Sequence, residues 1–124
     1  IPPQNIVGHS DIAPQRKQDP GPRFPWAQLA AQGIGAWPDA ARVRALLQGR
    51  DRLQPVAPEA LLALLARYGY EAGAAKTPDQ QRRLIAAFQM HFRPADYRGI
   101  ADAESLAIAQ ALVEKYGRGA AAER

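Results

Sequence analysis

Apolar residues recur at helical spacing in four stretches of the chain. Leu61, Leu64, Leu65 and Tyr68 stand at i, i+3, i+4 and i+7, which predicts a helix from Pro58 to Tyr68 with Gly69 as its stop. Thr77-Pro78-Asp79-Gln80 is a helix start: Thr77 as N-cap, Pro78 at the first helical position, and Gln80 where a capping box needs it. The apolar face that follows is Leu84, Ile85, Phe88 and Phe92, and Pro94 stops it. Asp102 is placed to cap a third helix that turns Leu106, Ala109, Leu112, Val113 and Tyr116 inward and closes at Gly117. Earlier, Val43, Leu46 and Leu47 share one face of a segment running from Asp39 to Gln48, ended by Gly49. Short helices of this kind are not stable alone, but the last three, with leucine and aromatic faces, can bury a small core together.

The first part of the chain reads differently. Residues 1–54 hold seven of the eleven prolines. Asn5-Ile6-Val7 is expected to be a short extended segment entering a Pro-rich loop from Gly8 to Pro25. A short helix is expected over Trp26–Gln32, then a turn or strand over Gly33-Ile34-Gly35-Ala36-Trp37. Residues 50–57 form a polar linker, and 118–124 are expected to fray. The expected division is therefore residues 1–54 and residues 55–124.

Composition narrows the field. Of 124 residues, 47% are hydrophobic and 23% charged, a globular balance that excludes wholesale disorder. No apolar run approaches the roughly 20 residues of a transmembrane segment. There is no Cys, so disulfides and thiolate chemistry are excluded. The net charge of +4 is scattered, with only Arg16-Lys17 and Arg82-Arg83 as adjacent basic pairs, so nucleic acid is not an expected partner. Ile1-Pro2-Pro3 is no signal peptide, and a start without Met is expected to mean that the original N-terminus was removed.

One segment carries chemistry: Val7-Gly8-His9-Ser10-Asp11-Ile12-Ala13-Pro14-Gln15-Arg16-Lys17-Gln18-Asp19-Pro20-Gly21-Pro22. His9 and Asp19, ten residues apart in a proline-stiffened loop, can converge on one metal ion. An imidazole and a carboxylate suit Zn²⁺, which in catalytic sites takes three protein ligands and a water. Lys17 could reach the same centre, where its ammonium would stabilise an oxyanion developing on a carbonyl. The plainer alternative is that His9 caps a turn and Asp19-Pro20-Gly21 is only a turn.

The run GHSDIAPQRKQDPGPRFPW, followed by GIGAWPD, closely resembles the AmpD/AmiD-type N-acetylmuramoyl-L-alanine amidases, zinc enzymes of the amidase_2, peptidoglycan-recognition-protein-like fold. ALLARYGY, AFQMHFRP and the helix from Asp102 to Tyr116 resemble the small three-helix peptidoglycan-binding module of the AmiD-like subgroup, so the likeness covers nearly all of residues 5–117. The resemblance implies that His9 and Asp19 are zinc ligands and that Lys17 assists catalysis. It implies an α+β fold, the C-terminal portion of a mixed-sheet amidase_2 domain in residues 1–54, followed by a small all-α three-helix domain in 55–124. It implies hydrolysis of the amide between N-acetylmuramic acid and the L-alanine of the stem peptide, with peptidoglycan or muropeptides as partners. It places the protein in the bacterial cell envelope, in the periplasm, with an outer-membrane anchor in some relatives. The family's site also needs another His ligand and a catalytic Glu before the GHSDI segment, where only four residues precede Asn5. The expectation is an N-terminal fragment of the same protein as a second chain; a non-catalytic peptidoglycan-binding polypeptide is the alternative.

Other candidates are weaker. Phe24, Trp26 and Trp37 could line a sugar groove, though large apolar residues are more often core. His91 matches no family ligand and is expected to be partly buried or capping, and Arg23 to be solvated surface.

Overall fold

A computed structural model describes residue 3, residues 6–8, residue 11 and residues 24–116. From residue 24 onward the described residues form, in order, the helices α1 (Trp26–Ala31), α2 (Ala40–Leu47), α3 (Pro58–Tyr68), α4 (Pro78–Phe92) and α5 (Ala103–Tyr116), with a 3₁₀ turn, Ala72–Ala74, after α3. They fall into two compact units. One comprises Ile1–Trp37 and Ala75–Gly99, the other Pro38–Ala74 and Ile100–Arg124. Residues 55–124 therefore contribute to both.

In the first unit α4 packs against α1. The predicted face of α4 is buried in full: Leu84, Ile85, Phe88 and Phe92. Its start is the predicted capping box. Gln80 N–H donates to Thr77 Oγ1 at 3.1 Å, and Thr77 N–H donates back to Gln80 Oε1 at 3.1 Å. Phe88 and Trp37 both pack on the ring of Phe92, with centroids 5.3 and 5.5 Å away. Gln89, fully buried, accepts a hydrogen bond from the Gly99 amide at 2.9 Å, so the loop after α4 closes back onto the helix.

In the second unit α5 lies against both α3 and α2. Leu61 and Leu65 of α3 and Leu112 of α5 are completely inaccessible to water. Ala103, Ala107, Ala109 and Ala111 are buried along α5; such small side chains permit close approach between helices. Asp102 caps α5 as predicted, accepting from the Ser105 amide at 2.9 Å. Residues 50–57 are more than a linker: Val56 N–H donates to Ala101 O, Ala103 N–H to Gln54 O and Glu104 N–H to Arg52 O. Two ion pairs, Arg42–Glu114 and Lys115–Asp39, tie α5 to α2 and its N-cap.

The expected α+β mixed-sheet fold is overturned. Among the described residues there is no strand, and the only extended pairing is an isolated antiparallel bridge between Pro55 and Asp102. The reason is local. Around the expected first strand, Ile6 N–H donates to Pro3 O and Asp11 N–H to Gly8 O, so these backbone donors serve turns and not a ladder. At the second candidate, Gly33 and Gly35 take φ of +83° and +84°, a left-handed geometry that reverses an extended run. A strand also needs a neighbour to pair with, and the described residues supply none.

Candidate active site

The GHSDI segment is held at both of its described ends. Gly8 N–H donates to Asp11 Oδ2 at 3.1 Å, and Asp11 N–H donates to Gly8 O at 3.1 Å. A carboxylate three residues beyond a backbone amide closes such a reciprocal pair readily. Asp11 is buried, and its Oδ2 also meets Nδ1 of His91 at 2.6 Å. A carboxylate only accepts, so Nδ1 carries the proton in this bond.

His91 stands on α4, and its ring is packed between two aromatic faces. Trp26 of α1 stacks on it at 3.9 Å with an interplanar angle of 11°, and Phe92 at 4.1 Å and 19°. The other ring nitrogen, Nε2, is buried without a hydrogen-bond partner among the described residues. The aromatic trio considered for a sugar groove divides: Trp26 is core, Trp37 is half-buried against Phe92, and only Phe24, tilted on Trp26 at 4.6 Å, is exposed.

The candidate ligands His9 and Asp19, and the candidate catalytic Lys17, lie outside the described residues, as does Arg23. Among the described residues no group of three His, Cys, Asp or Glu side chains could hold a metal ion. Asp11 and His91 are bonded to each other. His91, expected to be partly buried or capping, is instead a fully buried partner of Asp11. A signal for its burial was present: it falls seven residues after Leu84 and three after Phe88, on the apolar face of α4, where a histidine needs a polar partner. Asp11 as that partner was not legible, because nothing local in a sequence reports a contact across 80 positions.

With this geometry in view, comparison with known proteins is informative. Over 118 residues, 95% of its length, the chain is 64% identical to the N-acetylmuramoyl-L-alanine amidase AmiD of Escherichia coli K12. The solved complex of E. coli AmiD with the substrate anhydro-N-acetylmuramic acid-L-Ala-D-γ-Glu-L-Lys superposes with a TM-score of 0.92 over 95% of this chain. Over nearly its whole length the chain is thus similar to a part of the AmpD/AmiD-type amidases. AmpDh3 of Pseudomonas aeruginosa, solved with an anhydromuramic pentapeptide, is similar as well, with a TM-score of 0.82 and 47% identity over 94% of this chain. The chain spans less than half of these proteins: 43% of the AmiD sequence, and 46% of each of the two solved chains. No protein-family model matches it. No described helix is long and apolar enough to cross a membrane.

Proposed function

We propose that this chain is part of a zinc-dependent amidase that hydrolyses the bond between N-acetylmuramic acid and L-alanine in peptidoglycan-derived muropeptides. The observation that carries this reading is 64% identity over 95% of the chain to AmiD, whose solved complex holds an anhydromuramyl tripeptide. In this reading His9 and Asp19 supply an imidazole and a carboxylate, a donor set that suits zinc in kind and is one short of the three that catalytic zinc takes. The third ligand and the general base come from sequence beyond these 124 residues, whether in the same polypeptide or in an N-terminal fragment as a second chain. Zinc supplies Lewis acidity there, activating water and polarising the scissile carbonyl. Lys17 places a positive charge where the carbonyl oxygen gains negative charge. In this reading residues 1–54 carry the amidase ligands and residues 55–124 the appended peptidoglycan-binding part, whose helix α4 packs back onto α1. The protein works in the bacterial envelope, in the periplasm.

The test uses the full-length protein with an anhydromuramyl tripeptide. Wild type is expected to hold one zinc and to release the peptide, and a chelator to abolish cleavage. His9→Ala and Asp19→Ala are expected to lose both zinc and activity. Full cleavage by metal-free protein, or wild-type zinc content in both variants, would overturn the reading. Binding to peptidoglycan with no cleavage at any zinc level would favour a non-catalytic wall-binding polypeptide.

A further inference from the structure

We propose that His91 is a positioning residue for the metal site: through Asp11 it clamps the segment that carries His9 onto helix α4. This rests on His9 being a zinc ligand, as proposed above.

Three observations lead to it. First, Asp11 bonds in two directions. Toward its own segment it holds Gly8 by a reciprocal pair of bonds, and toward α4 it holds His91 Nδ1 at 2.6 Å. His9 lies in sequence between Gly8 and Asp11, so both flanks of the ligand are tied to one carboxylate. Second, the imidazole cannot readily turn away, because Trp26 and Phe92 stack on it at 3.9 and 4.1 Å. A ring locked by packing gives its one hydrogen bond a fixed direction, which is what a support for a ligand needs. Third, the arrangement is a poor one for stability alone. Both side chains are only 3–4% exposed, and His91 Nε2 is buried with no partner among the described residues. Apolar residues of similar size would fill the same space without desolvating a carboxylate and a ring nitrogen. A leucine there could pack, but it could not direct Asp11.

Outer partners of metal ligands typically account for 10–100-fold in metal affinity. The experiment measures zinc affinity by chelator competition on the full-length protein, with the melting temperature of each variant taken alongside. His91→Leu and Asp11→Asn are each expected to weaken zinc by about 10–100-fold. The double variant should be no weaker than the worse single one, because both remove the same link. His91→Asn, whose amide N–H falls near the position of Nδ1, should recover part of the loss. Leu84→Val, a cavity in the same unit away from the link, should lower the melting temperature and leave zinc affinity unchanged. If His91→Leu does not fold, Asp11→Asn alone carries the measurement. Unchanged zinc affinity in the folded link variants, while His9→Ala loses the metal, would overturn this proposal and leave the amidase reading intact. No recovery in His91→Asn, or an equal loss of affinity in Leu84→Val, would also overturn it. Wild-type zinc affinity in His9→Ala would instead overturn the reading on which it rests.

Discussion

His91 Nδ1 and Asp11 Oδ2 lie 2.6 Å apart although 80 positions separate the two residues. Asp11 stands in helical backbone near the start of the chain and His91 in the last turn of α4, so the bond joins the two sequence stretches of one compact unit. Breaking it exposes nothing to water, and that decides its energetics. His91→Leu leaves the Asp11 carboxylate buried with the Gly8 amide but without its imidazole. It is expected to cost about 3–5 kcal/mol, the range for a buried pair that loses one partner. Asp11→Asn keeps the shape and removes the charge, and is expected to cost less. Urea unfolding at neutral pH checks both; equal and negligible effects would contradict the argument.

Lys17→Ala is expected to lower kcat by about 10²–10³, the usual consequence of removing one oxyanion-stabilising donor, while zinc stays bound. Metal analysis beside steady-state kinetics on an anhydromuramyl tripeptide separates this from Asp19→Ala, where the metal itself should go.

At the start of α4, Thr77→Ala removes the side-chain acceptor of the Gln80 amide and is expected to cost about 1 kcal/mol. Gln80→Ala should cost a comparable amount, because Gln80 Oε1 accepts from both the Lys76 and Thr77 amides. The two losses should not add fully, since they dismantle one box. Denaturant titration of the single and double variants reads this directly.

Two glycines separate conformational strain from steric clash. Gly33 has φ of +83° with open space where a Cβ would go, so Gly33→Ala should cost about 1 kcal/mol, the left-handed penalty alone. Gly99 has nearly the same φ, +82°, but a Cβ there would sit 2.5 Å from the Arg82 carbonyl oxygen. Gly99→Ala must also shift the end of the loop that bonds Gln89, so its cost should clearly exceed that of Gly33→Ala. Equal costs in thermal unfolding would refute the distinction.

In the second unit the Arg42 guanidinium, with help from Gln110, holds the Glu114 carboxyl below its ordinary pKa. A carboxyl depressed in the folded state adds stability above its unfolded pKa and loses it as pH falls through the folded value. Glu114→Gln should therefore melt slightly below wild type at neutral pH. The gap should close as the solution is acidified past the usual carboxylate range, and also at high salt, because the pair is exposed. A gap that widens on acidification would contradict the assignment.

Much of the molecule was legible in the order of residues. The helices at 26–31, 40–47, 58–68, 78–92 and 103–116 fall close to their expected bounds, as do the Thr77–Gln80 box and the Asp102 cap. These features depend on contacts within about four residues, where periodicity and capping chemistry act directly. His9, Lys17 and Asp19 lie outside the described residues, and their expected roles rest on the family resemblance. Strands are different, because an extended segment is stable only beside a partner. The mixed sheet implied by the resemblance is absent among the described residues: Ile6 and Asp11 use their backbone amides locally, and at 33–37, expected as a turn or a strand, Gly33 and Gly35 make the turn. The link between Asp11 and His91, and the burial of His91 between Trp26 and Phe92, were decided only by the tertiary structure. Contacts between distant residues depend on which surfaces meet once the helices pack, and no local pattern records that choice.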